Sequence, residues 1–254
     1  MRIVRYELNG VVGQGVLEAS PSGDVVREPR PGGGAPGPVA ARLDEVRLLA
    51  PCEPRTIVCA GSNYAGQLAE KGLPWPEHPA LFLIAPNAVA GPGQPVLRPH
   101  EVARLEYEGE LAVVIGRTAR DVPVERFHDF VLGYTCANDV TAADWRSDGQ
   151  WARAKSADTF CPLGPWIETD IPDPGDLVLT TRLGGRVVQK APTREMVFGV
   201  GQLLAYVTRW ITLQPGDVLL TGSPSGVGPM VPGDVVDVEI SRIGTLRNPV
   251  ATRP

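Results

Sequence analysis

LEYEGELAVVIG, residues 105–116, changes character halfway along. From Leu111 to Ile115 it is a continuous apolar run, the mark of a strand buried on both faces. Before that run, Glu106, Glu108 and Glu110 occupy every second position, and in a strand such side chains project from one face. Alternation of this kind also suits a half-exposed edge strand with its polar side in water. The direct join to an apolar segment favours a different reading. Three carboxylates carried into a core repel one another and resist losing water. A divalent ion that prefers oxygen ligands removes that conflict.

A second acidic element stands at 133–145, GYTCANDVTAADW. Asn138-Asp139 closes an apolar run, where a strand end delivers a side chain to a site. The same residues also read as a helix start, with Asp139 or Thr141 as cap.

Outward from these two segments the chain is strand-rich. Residues 2–7 and 11–17 read as a hairpin turning on Asn9-Gly10. Further strands are expected at 46–49, 57–59, 81–84, 131–137, 176–183, 186–189, 217–221 and 234–240. Helices are expected within 61–79, at 124–130 and at 199–210, where Val200, Leu203, Leu204 and Val207 keep helical spacing. The 29 glycines and 26 prolines in 254 residues cut the chain into short elements. The stretch Pro29–Pro38 cannot build the interior of a strand or helix and reads as a boundary loop. The fold class expected is α+β, with a small β region over 1–50 and a main domain over 51–254. A net charge of −5 without a basic stripe excludes a nucleic-acid partner. No apolar run has membrane length and the start does not resemble a signal peptide, so a cytoplasmic protein without membrane contact is expected. Cys52, Cys59, Cys136 and Cys161 form no C-x-x-C pair, which argues for buried thiols rather than zinc.

Five stretches together resemble the fumarylacetoacetate hydrolase family: GSNYAGQLAE (61–70), YEGELAVVIG (107–116), GYTCANDVTAAD (133–144), KSADTFCPLGPW (155–166) and TGSPSGVG (221–228). They stand in that family's order and near its spacing. The resemblance implies a mixed β-roll or β-sandwich fold, usually homodimeric. It implies that Glu108, Glu110 and Asp139 ligate Mg²⁺, with Mn²⁺ or Ca²⁺ as alternatives. It maps a catalytic lysine to Lys155, a water-activating carboxylate to Glu70, and substrate contacts to Thr221 and Gly222. Read without the family, Lys155 is an ordinary surface lysine. The implied reaction is hydrolysis of a C–C bond in a small β-dicarbonyl or 2-oxo acid.

Several positions depart from the family. Gln67 stands where a histidine is usual, three residues before Glu70, and a carboxamide cannot cycle a proton at neutral pH. His78, later in the same loop, is a possible stand-in. Ala143 replaces an arginine, Arg146 stands where glutamine is common, Ser223 replaces threonine, and FLIAP (82–86) lacks a lysine. Arg146 is accordingly expected to touch substrate. The ligands survive while the proton-handling groups change. That pattern favours an alternative in which enolate chemistry proceeds without hydrolysis, as decarboxylation, isomerisation, cyclisation or dehydration.

Overall fold

The computed structural model describes residues 1–29 and 35–254. Residues 30–34, inside the stretch read as a boundary loop, lie outside the described residues. The fold is α+β and strand-rich, as expected from the sequence. Among the described residues the strands form sheets of twelve, five and three.

The largest sheet starts with the N-terminal hairpin. Asn9 and Gly10 both have positive φ, the backbone of a two-residue turn that matches strand twist. The hairpin strands, Arg2–Leu8 and Val11–Glu18, gather Val4, Tyr6, Leu17 and Val26 into a small core of their own. Arg2 nevertheless pairs with Glu168, so this region continues the sheet of the main domain. From there the sheet passes through Cys161–Glu168, Val131–Asn138, Gly109–Ile115, Val218–Leu220, Ile57–Gly61 and Ala80–Ile84. Val218–Leu220 lies parallel to Ile57–Gly61, while its other neighbour, Gly109–Ile115, is antiparallel.

The five-stranded sheet is built on Val178–Leu183, Arg186–Pro192, Val235–Ile240 and Gly244–Thr252, with Val96–Arg98 at one edge. Its Leu179, Val238 and Leu246 share one core with Leu111, Val113 and Leu163 of the larger sheet. The two sheets meet very closely at Gly109. A Cβ there would come within 2.1 Å of the Thr181 hydroxyl, so only glycine fits between two of the three candidate ligands.

Two expectations change in detail. The run read as one strand from Leu105 to Ile115 is two: Leu105–Tyr107 belongs to the three-stranded sheet and Gly109–Ile115 to the largest. The break falls at Glu108, where the Asn138 carboxamide oxygen and the Gln189 carboxamide oxygen accept the N–H groups of Glu108 and Gly109. The expected helix at 124–130 is a 3₁₀ segment, Val124–Asp129.

Candidate metal and substrate site

The register of one strand pair assembles the acidic cluster. Gly109 pairs with Asn138 and Glu110 with Ala137, and just beyond the pairing the Asp139 N–H donates to the Glu108 carbonyl at 2.9 Å. Segments thirty residues apart in sequence thereby aim their carboxylates at one point. One oxygen each from Glu108, Glu110 and Asp139 lies within 4.8 Å of the others, and all three residues are buried. Asp139 caps no helix: the next one is Ala143–Arg146, and no side chain caps it. The Thr141 hydroxyl donates to Glu108 Oε1 at 2.7 Å.

Lys155 ends the short helix Trp151–Lys155 and is as deeply buried as the acids. Its Nζ lies 2.5 Å from Asp139 Oδ2 and 3.1 Å from Glu108 Oε1. It is therefore no surface lysine. Arg146 reaches Glu108 Oε1 at 3.7 Å and Glu106 Oε2 at 3.5 Å. Glu106 turns away from the cluster to Arg104, whose Nε sits 2.6 Å from Oε1.

These cations do not neutralise the cluster evenly. Burial pushes the Asp139 carboxyl up to about 6, and the neighbouring Glu108 adds to that against the opposing pull of Lys155. Burial, then the charges of Asp139 and Glu108, raise Glu110 well above the usual carboxylate range. Burial would lift Glu108 too, but the Lys155 ammonium and the Thr141 hydroxyl outweigh it and hold this pKa low. Burial also opposes the charge on Lys155, yet Asp139 and Glu108 prevail and its pKa is raised. Asp139 Oδ1 is buried with no hydrogen-bond partner. An orphaned carboxylate oxygen beside two other carboxylates is costly as it stands. The all-oxygen donor set and the surplus of negative charge fit a hard divalent cation.

The cavity at the cluster is lined by Glu108, Asp139, Lys155, Arg146, Gln67, Lys71, Ser223, Phe82 and Trp151, with the backbone of residues 60–62. Of these, Gln67, Ser223 and the stretch holding Phe82 were noted from sequence as departures from the family, while Lys71 and Trp151 were not singled out. The remaining expected site residues take other places. Glu70 is exposed, and its carboxylate accepts the Gly226 N–H at 3.1 and 3.3 Å, away from the residues lining the cavity. The Thr221 hydroxyl donates to the Leu111 carbonyl at 2.9 Å and so faces the sheet. The Gly222 N–H donates to Glu110 Oε2 at 2.7 Å and orients that carboxylate. Gly222 has φ +95°, and a Cβ there would meet Asn63 Cβ at 2.8 Å and the Ala60 carbonyl at 3.0 Å. His78 stacks on Tyr206, centroids 5.8 Å apart, and does not line the cavity.

The four cysteines are free and buried, as expected. No helix of the described residues is long and apolar enough to cross a membrane.

Comparison with known proteins agrees with this architecture. Residues 56–251 match the fumarylacetoacetate (FAA) hydrolase C-terminal family, and residues 1–51 match the Rv2993c-like, N-terminal family. Among curated relatives, the mitochondrial oxaloacetate tautomerase fahd2 of Xenopus laevis is 41% identical over 218 residues, covering 81% of this chain and 68% of that protein. Among solved structures, a 5-carboxymethyl-2-hydroxymuconate delta-isomerase from Mycobacterium smegmatis is 43% identical with TM-score 0.90, covering all of both chains. A maleylpyruvate hydrolase from Sphingobium sp. SYK-6, in complex with manganese(II) ion and pyruvate, is 28% identical with TM-score 0.81, again over all of both chains. The chain belongs to the fumarylacetoacetate hydrolase family of enzymes.

Proposed function

We propose that this enzyme is a divalent-metal-dependent isomerase that interconverts the keto and enol forms of a small 2-oxo acid. One observation carries the choice of reaction. Among the described residues, the titratable side chains lining the cavity apart from Glu108 and Asp139 are Lys71, Arg146 and Lys155, and all three are cations. No carboxylate or imidazole there is free to activate a water. Enolisation needs no attacking water. The tautomerase and delta-isomerase among the relatives support the same reading.

Glu108, Glu110 and Asp139 would hold the ion, Mg²⁺ or Mn²⁺, and the manganese in the maleylpyruvate hydrolase supports that ligand class. A bound divalent ion supplies Lewis acidity, which stabilises negative charge on a 2-oxo oxygen. The rest is the work of the chain's own groups. Lys155 holds its proton firmly between Asp139 and Glu108 and is fixed by both contacts. An ammonium at this position can pass its proton to the 2-oxo oxygen and, as the amine, take the proton from C3. One side chain then completes the 1,3-shift with no net gain or loss of protons. Arg146 stands beside Glu108 to pair with the substrate carboxylate. Phe82 and Trp151, with ring centroids 5.1 Å apart, form a wall that limits water at the reacting carbon.

Hydrolysis of a C–C bond is the second reading, and the placement of Glu70 is what keeps it open. Its carboxylate leans on a single exposed N–H, so turning it toward the cavity breaks little. Both readings put the protein among enzymes acting on small carbonyl acids.

The test follows the ultraviolet absorbance of enol-oxaloacetate, with Mg²⁺ and with EDTA, and identifies products by mass spectrometry. Metal-dependent ketonisation without new fragments is expected, and Lys155→Met should slow it about 1000-fold. Cleavage of an acylpyruvate into two acids at a higher kcat/KM would replace the isomerase with the hydrolase.

A further inference from the structure

We propose that Lys71 selects substrates carrying a second carboxylate in addition to the 2-oxo acid head group, an inference that rests on the isomerase reading. Gln67 and Lys71 stand one turn apart on the helix Ala65–Lys71, so they share a face, and both line the cavity with Glu108, Asp139, Arg146 and Lys155. A neighbouring side of the helix is docked elsewhere. A Cβ on Gly66 would sit 3.2 Å from the Ser225 hydroxyl, and the Glu70 carboxylate takes the Gly226 N–H. This docking on residues 225–226 turns Gln67 inward and leaves Lys71, exposed, at the edge of the cavity it lines.

Two observations give that face a recognition role. The Gln67 carboxamide is 1% exposed, and its oxygen has no hydrogen-bond partner. A dry, unpaired acceptor lining a cavity calls for a donor from a ligand, and an enol hydroxyl is such a donor. Lys71, unlike Lys155 and Arg146, forms no ion pair among the described residues. Partial burial of its ammonium still lowers its pKa, so an incoming anion would stabilise its charge.

Charge balance gives the chemical class. Arg104 takes up Glu106 at 2.6 Å. The three ligand carboxylates then stand against three cations, Lys71, Arg146 and Lys155. A divalent ion held by the triad leaves a surplus of two positive charges. A dianion neutralises that surplus and a monoanion does not. With Arg146 and Lys155 at the 2-oxo acid head, Lys71 is left for the distal carboxylate.

The experiment compares oxaloacetate with its 4-methyl ester, which lacks the distal charge, on wild-type protein, Lys71→Met and Lys71→Arg. In parallel, calorimetry measures 2-oxoglutarate against 2-oxovalerate in the presence of Mg²⁺. Lys71→Met should lower kcat/KM for oxaloacetate about 10- to 100-fold, mainly through KM, and bring the ratio between the two esterification states toward one. The calorimetric preference for 2-oxoglutarate should collapse in the same variant, and Lys71→Arg should restore most of both ratios. An equal fall for both substrates would make Lys71 a structural or proton-transferring residue and overturn the proposal. A wild-type protein that binds 2-oxovalerate as well as 2-oxoglutarate would also overturn it. If the wild type binds with the expected preference but turns over neither oxaloacetate nor its ester, the isomerase reading fails while the role of Lys71 stands.

Discussion

The acidic cluster and the Ala65–Lys71 helix face the same cavity but are held in opposite ways. Glu108, Glu110 and Asp139 hang from paired strands, and the Gly222 N–H, the Asn138 carboxamide oxygen and the Glu108 carbonyl fix their positions. The helix has seven residues, too few to be stable alone, and its C-terminal half is exposed. It ends at Gly72 in the left-handed conformation and rests partly on the exposed contact of Glu70 with Gly226. Strand pairing holds the proposed ligands in place, and a misplaced carboxylate would lose its ligand geometry. The substrate-facing half can change residues, as at Gln67, without disturbing the sheets. Changes on the sheet side should therefore cost most, and changes on the helix should alter what reacts rather than whether the protein folds.

The largest effect is expected at Glu110. In Glu110→Gln the side-chain oxygen can still accept the Gly222 N–H, but one ligand charge is gone. Metal affinity should fall at least about 100-fold and activity about 1000-fold, measured by calorimetry with Mn²⁺ and by the ketonisation assay. Without metal the variant should melt no lower than the wild type at pH 8, because a buried repulsion has been removed. A variant of unchanged metal affinity would sink the ligand assignment.

Gly222→Ala probes the same side through the backbone. The residue has φ +95° and the added methyl meets Ala60 and Asn63, so the loss should be about 2–4 kcal/mol, or roughly 5–15 °C in Tm for a chain of this size. Activity should fall with it, since Gly222 orients Glu110. A variant that melts normally would show that the strand end yields more easily than its packing indicates.

Much of the strand-held half was legible in sequence, because apolar periodicity and carboxylate spacing are local signals. The alternation of Glu106, Glu108 and Glu110 pointed to an ion, although the chain breaks at Glu108 and sends Glu106 to Arg104. The strands Cys161–Glu168 and Gly244–Thr252 escaped notice. Prolines 162, 165 and 249 interrupt their patterns, and neighbouring strands supply the stabilisation that propensity lacks. The helix face was less legible. Two turns give no reliable period, and which side turns inward is settled by Gly66 and Glu70 meeting residues 225–226, a tertiary contact. The spacing of Lys71, four after Gln67, was the available signal. Thr221 could not be placed either, because its hydroxyl had an equally good partner in the Leu111 carbonyl.

The pH dependence of stability tests the strand-held acidic cluster. Without metal, burial raises Asp139 from 3.8 to about 6 and raises Glu110 as well. The folded protein then holds protons that the unfolded chain has released, so what these two groups contribute to stability is greatest below pH 4 and falls as pH rises through about 6. Lys155, whose pKa is raised, loses its contribution only above pH 10, and Glu108, held low, matters below pH 4.5, so neither reverses the trend. The EDTA-treated protein should lose about 5 °C in Tm between pH 5 and pH 7. With saturating Mg²⁺ the slope should vanish or reverse, because the ion binds the ionised carboxylates. A metal-free Tm that rises over this interval would mean the carboxylates are already compensated.

The smallest effect sharpens the comparison most. Glu70→Gln keeps an acceptor for the Gly226 N–H, at an exposed position, so Tm should move by less than about 2 °C. If the helix only frames the cavity and Lys155 moves the proton, ketonisation should change less than about threefold. If the helix instead swings Glu70 inward to activate water, cleavage of an acylpyruvate should drop about 100-fold or more in the same variant. The two outcomes differ because a carboxamide can hold the helix in place but cannot take a proton. Measuring both reactions on one preparation therefore decides whether the helical half of this site supplies a base or only a frame.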